Sequence, residues 1–412
     1  MMPLCGGLHK YKCFLLWERF AALLFFFPRI WYNTAENGML FPKLLPILTE
    51  FKQGGSKMNK KLLYDFLDTV SVSGCEEANQ RIALDYAKDF AEKQLTDAVG
   101  NAVSIVNPDA DCRVLLCGHI DEIGFRVTHI TGDGLIRVQR AGGVKVGLYV
   151  GSPMQIIHER TENGQVIREK VAGVGIITES LIKKDKVDAS DLMIDIGANT
   201  REEAEAVVSI GDPVCADCGR RELLNDRISS RALDDKTGAF VILEAARRAA
   251  EKGAKCGIYA NTSVGEETSG RGAFFAGSNI EPTCAIIVDV TWASDSPERG
   301  AEDSGDIKLG GGPVLCRSGM VNKNMNALLE QVAKEKGIEL QYEVAGARTY
   351  TDGDTVLETG RGVPMALVSI PLRYMHSSVE IADWHDLEGC IELIAEFLMK
   401  IDAGFDFRPI VP

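Results

Sequence analysis

The sequence predicts an α/β domain, a mixed sheet with helices on both faces, interrupted by a small β-rich insert. Three observations carry that reading. Buried-strand runs such as Val114-Leu115-Leu116-Cys117 and Ala285-Ile286-Ile287-Val288 alternate with helical patterns at both ends of the chain. The middle instead shows short segments of period two. A hydrophobic content of 45% over 412 residues supports a large buried core.

Taken in order, Leu62, Leu63, Phe66, Leu67 and Val70 recur with helical spacing and predict a helix over 60–69. A second helix is expected over 76–95, then strands over 102–106 and 113–117. Between about Glu122 and Cys218 come Leu135-Ile136-Arg137-Val138, Met154-Gln155-Ile156-Ile157 and Val171 to Ile177, with Asn163-Gly164 as a two-residue hairpin turn. After Arg231 the α/β alternation returns. Helices are expected over 238–252, 323–336 and 384–401, and strands over 257–263, 284–290, 339–344 and 365–370. Residues 58–124 and 219–412 therefore read as one α/β domain and 125–218 as the insert.

Residues 1–57 do not fit that pattern. Their apolar stretches, Cys13 to Trp17 and Ala21 to Phe27, are split by Glu18 and Arg19 and stopped by Pro28. A spanning helix needs about 20 largely apolar residues, and no small-residue cleavage site follows. The functional chain is expected to begin at Met58, after a dispensable leader or an upstream-start artefact.

Composition excludes several classes. A net charge of −14 argues against nucleic acid or an anionic membrane surface as partner. Eleven cysteines without regular spacing suit a reducing, cytoplasmic compartment rather than a disulfide scaffold. Cys215 and Cys218 form one isolated CxxC.

Five side chains with metal-binding chemistry stand in short, separate contexts: His119, Asp234, Glu267, Asp289 and His376. His119 and Asp289 close apolar runs, and His376 follows another, where open α/β sheets place ligands. Asp121 lies two residues beyond His119, so its carboxylate can accept the imidazole's second N–H. Asp234 precedes an apolar helix, and a carboxylate there can bridge two cations. In the pair Glu266-Glu267, one carboxylate can bind metal while the other handles protons. The set describes a two-metal hydrolase, with zinc or cobalt favoured by mixed imidazole and carboxylate ligands. His9, His129, His158 and His385 carry no such context. Gly142-Gly143 and Gly310-Gly311-Gly312 are candidate close-approach turns beside the cleft.

From Met58 on, the chain resembles the tetrahedral aminopeptidases of metallopeptidase family forty-two. The motifs are Gly118-His119-Ile120-Asp121-Glu122-Ile123-Gly124, Ala232-Leu233-Asp234-Asp235-Lys236-Thr237-Gly238, Val264-Gly265-Glu266-Glu267, Val288-Asp289-Val290-Thr291 and Arg373-Tyr374-Met375-His376-Ser377. The resemblance implies a peptidase domain, a β-rich dimerisation insert, and a self-compartmentalised dodecamer acting on peptides with a free N-terminus. It makes Asp234 the bridging ligand, His119 and Asp289 partners on one ion, and Glu267 and His376 partners on the other. Glu266 corresponds to the general base and Asp121 to the carboxylate that orients His119. A cis bond is expected between Asp234 and Asp235. Ser378 departs from the pattern, since relatives often have Pro there. A two-metal amidase or deacylase is the alternative reading, with a cellulase and a non-catalytic assembly protein as remoter ones.

Overall fold

The computed structural model describes residues 57–410, apart from 163, 164 and 298. Residues 1–56, which hold nearly all of the expected leader and His9, and the Asn163-Gly164 turn lie outside the described residues.

Strands β1 (Lys93–Thr96), β2 (Ala102–Val106) and β3 (Arg113–His119) open the main sheet. The chain then builds β4 (Gly124–Ile130), β5 (Ile136–Ala141), β6 (Pro153–Glu162), β7 (Gln165–Gly175), β8 (Met193–Asp195) and β9 (Pro213–Ala216). These close into a barrel in the order β4-β5-β8-β7-β6-β9. A hairpin of β10 (Arg221–Leu223) and β11 (Arg227–Ser230) follows. The main sheet resumes with β12 (Gly257–Ser263), β13 (Cys284–Trp292), β14 (Val314–Ser318), β15 (Gln341–Ala345) and β16 (Met365–Leu372), and β17 (Glu380–Asp383) joins the hairpin. The eight-stranded sheet runs β1-β2-β12-β3-β13-β16-β14-β15, with parallel and antiparallel pairs.

Central strands are buried along nearly their whole length because both faces are covered. Helices Leu233–Lys252 and Trp384–Leu398 pack on one face around Phe240 and Trp384, whose rings meet edge-on at 6.5 Å. Helix Arg271–Ile280 covers the other with Ala273, Ala276 and Ile280 against Ile105 and Tyr259. The expected α/β architecture with a β-rich insertion is the observed one.

Residues 76–95 differ from expectation. The helix expected over 76–95 ends at Ala87, and β1 starts at Lys93. Asp97 Oδ1 accepts the backbone N–H groups of Val99, Gly100 and Asn101 at 3.0–3.1 Å. That turn folds Lys93–Thr96 back onto β2, where the ladder offers more hydrogen bonds than an exposed helix end.

Candidate metal centre

Parallel pairing brings three of the five predicted ligands to one end of the sheet. In register, Ser263 of β12 lies beside His119 of β3, and Ile287 of β13 beside Cys117. Two residues past Ile287 comes Asp289, level with His119. Directly after Ser263 come Val264, Gly265, Glu266 and Glu267. Asp289 sits inside its strand, not at its end, since β13 continues to Trp292.

Asp234 arrives from helix Leu233–Lys252. The helix start presses on β3 so closely that a Cβ on Gly118 would lie 2.7 Å from the backbone of Gly238. Glycine beside His119 is thus what lets the Asp234-Asp235 segment reach the imidazole, and the bond between those aspartates is cis. His119 Nε2 is 3.1 Å from Asp234 Oδ1, and His376 Nε2 is 3.2 Å from Asp234 Oδ2. One carboxylate therefore faces two imidazoles, one with each oxygen. His376 lies in the turn after β16 with φ 61°, its ring against Gly143, where a Cβ would come within 2.9 Å. Of the two glycine clusters, only Gly142-Gly143 meets the site; Gly310 and Gly312 donate N–H groups to Asp386 instead.

Glu267 Oε2 approaches His376 Nε2 at 3.7 Å, and Glu266 Oε2 approaches His119 Nε2 at 3.8 Å. Asp121 holds His119 chiefly through its carbonyl, 3.1 Å from Nδ1, with its carboxylate at 3.4 Å from the same nitrogen. That carboxylate also accepts the backbone N–H groups of Glu266 and Glu267.

Charge is concentrated here. Burial, reinforced by neighbouring carboxylates, pushes Asp235, Glu267 and Asp289 well above the usual carboxylate range, and Glu266 up to about 9. Burial opposes ionisation of Asp234 too, but His119 and His376 hold it well below that range. A cluster of this kind calls for cations to offset it. Glu267 Oε1 is buried without a hydrogen-bond partner, as a metal-ligating oxygen would be before its ion is counted. Donor atoms of His119, Asp234 and Glu267 fall within 4.8 Å of one another, and so do those of His119, Asp235 and Asp289. Asp235 fits a ligand role less well than Asp234. Its oxygens already accept the N–H groups of His119 and Gly238, at 3.2 and 2.9 Å.

Two further carboxylates with no role assigned from the sequence stand at the site. Asp235 is one; Glu380, whose carboxylate accepts the N–H groups of Asp234 and His376, is the other. The Cys218 thiol donates to the Ser378 carbonyl at 2.8 Å, and all nine described cysteines are free. The site opens into a cleft of about 950 Å³ lined by His119, Asp234, Glu266, Asp289, Trp292 and His376, among others. No helix among the described residues is long and apolar enough to cross a membrane.

A family model described as M42 glutamyl aminopeptidase matches residues 100–393. The lysyl aminopeptidase of Pyrococcus furiosus is 34% identical over 358 residues, 85% of this chain and 99% of its own. Among solved structures, the TET aminopeptidase of a marine-sediment Thaumarchaeota archaeon superposes with a TM-score of 0.76 at 28% identity, covering 84% of this chain and 97% of that one. The TET1 peptidase of Pyrococcus horikoshii, which can assemble into a tetrahedron or a large octahedral shell, gives 0.72 at 29% identity, with 83% and 99% covered.

Proposed function

The chain belongs to the M42 glutamyl aminopeptidase family, a family of peptide hydrolases, and from that premise we propose that it removes amino acids from the free N-terminus of peptides using two divalent cations. The observation that carries the reading is Asp234, whose two oxygens face His119 and His376 separately. His119, Asp234 and Asp289 would hold one ion, and Asp234, Glu267 and His376 the other. Imidazole and carboxylate together favour zinc or cobalt over magnesium or calcium. Such a pair supplies Lewis acidity, lowering the proton affinity of water and polarising the scissile carbonyl.

The chain's own residues supply the rest. Glu266 Oε2 lies at the edge of the ligand set, 3.8 Å from His119 Nε2, so it takes the proton of the attacking water and returns it to the departing amine nitrogen. Asp121 fixes the His119 ring and keeps the backbone of both glutamates in place. The acidic groups at the end of the cleft attract a free α-amino group.

Self-association is part of the proposal. The shells of the Pyrococcus horikoshii relative support it. So do exposed apolar side chains on residues 125–218, the insert we assign to dimerisation: Val174, Ile177, Ile182 and Ile210 are each at least half exposed. The free cysteines fit a cytoplasmic setting.

Paired peptides with free and acetylated N-termini test the reading. Free amino acid should appear from the first alone. Release of acetate or an N-acetyl amino acid would favour the amidase or deacylase, and reducing sugar from glucan the cellulase.

A further inference from the structure

Glu380 is enclosed, 2% exposed, and its carboxylate is tied at both ends to main chain. Oε2 accepts the N–H of Asp234 at 3.1 Å, and Oε1 accepts that of His376 at 2.8 Å. The three-stranded sheet of β10, β11 and β17 explains how one side chain reaches both segments. Ser230, near the exit toward Asp234, pairs with Glu380 across β11 and β17. The Arg373–Ile381 bridge closes the turn that carries His376. Both segments leave this sheet through left-handed residues, Ala232 on one side and Tyr374 and His376 on the other.

We infer that Glu380 is a positioning residue that sets the separation of Asp234 and His376, and thereby the affinity of the cation held between them. This rests on the two-cation reading. A carboxylate suits the task because each oxygen accepts one backbone N–H. An amide does not, since glutamine would turn its NH₂ toward one of the two N–H groups. Glu380 touches neither substrate nor reacting atoms and acts through the two segments alone.

Zinc affinity of the full chain, measured by competition with a chromogenic chelator, tests the inference in wild type, Glu380→Gln and Glu380→Asp. Melting of each metal-free protein is recorded in parallel. Affinity for one zinc ion should fall by about 10–100-fold in both variants, the usual effect of losing a group that orients a ligand. Excess zinc should then bring kcat back toward the wild-type value. A merely structural Glu380 would lower the metal-free Tm and leave zinc affinity unchanged, and that result overturns the inference. Should Glu380→Gln not fold, Glu380→Asp decides by the same comparison, because it keeps the charge and both oxygens on a shorter arm. Failure of the wild type itself to bind zinc would instead overturn the two-cation reading, and it shows before any substitution is made.

Discussion

Asp121 Oδ1 accepts the backbone N–H of Glu266 at 3.1 Å, although the two residues stand 145 positions apart. The residue that orients the His119 imidazole thus also fixes the proposed base. Asp121→Ala would keep the carbonyl that chiefly holds the ring but leave the N–H groups of Glu266 and Glu267 without their acceptor. We predict a fall in kcat/KM of about 10–100-fold at fixed zinc. Unchanged kcat/KM would show that the Asp121 carboxylate orients nothing.

Adjacent glutamates have different assigned tasks. Glu267→Ala removes a ligand, so one ion should be lost and activity should fall with it. Glu266→Gln keeps size and hydrogen bonding but cannot take a proton. It should retain its metal while kcat drops by about 10²–10⁴-fold, the contribution of a general base. Metal content and kcat on both variants check this; the opposite pattern reverses the assignment.

Glu122 lies below the site between Arg231 and Lys236, with Lys236 Nζ 2.9 Å from Oε1. Burial alone would raise its carboxyl, but the two cations hold it down at about 2, against an ordinary 4.5. A depressed value means that its charge stabilises the fold above about pH 4.5 and that this stability is lost as pH falls through about 2. Glu122→Gln would leave two buried cations unpaired and should cost about 3–5 kcal/mol at neutral pH. Denaturant melts across pH check the sign: the gap between wild type and variant should close on acidification. A gap that widens would contradict it.

Excision of roughly residues 125–215 tests the insert. Phe125 pairs with Val214, so the cut ends are already neighbours and the main sheet can close behind them. Large species should disappear from light scattering. Shells that persist after excision would place the subunit contacts elsewhere.

The legible parts of this chain were those whose signal is local. β3 and β13 showed as continuous apolar runs because central parallel strands are buried on both faces. His119 and Asp289 stood at the ends of such runs, and Asp234 and His376 within a few residues of a helix or a run. Glu380 stayed hidden because its partners, Asp234 and His376, come together only through the pairing of β11 and β17. Helix Arg271–Ile280 gave little periodicity, as Gly272 and Gly277 interrupt it and Phe274 and Phe275 stay partly exposed. β1 was read as helix because Leu95 extends a helical spacing, while the Asp97 turn that reverses the chain lies just beyond it.

Zinc titrated into metal-free protein, with peptide hydrolysis followed in the same samples, tests the central claim most directly. Two ions per chain should bind, and release of N-terminal amino acid should rise from none to full rate as both sites fill. Full turnover by metal-free protein, or saturation of binding and activity at a single ion, would contradict the account.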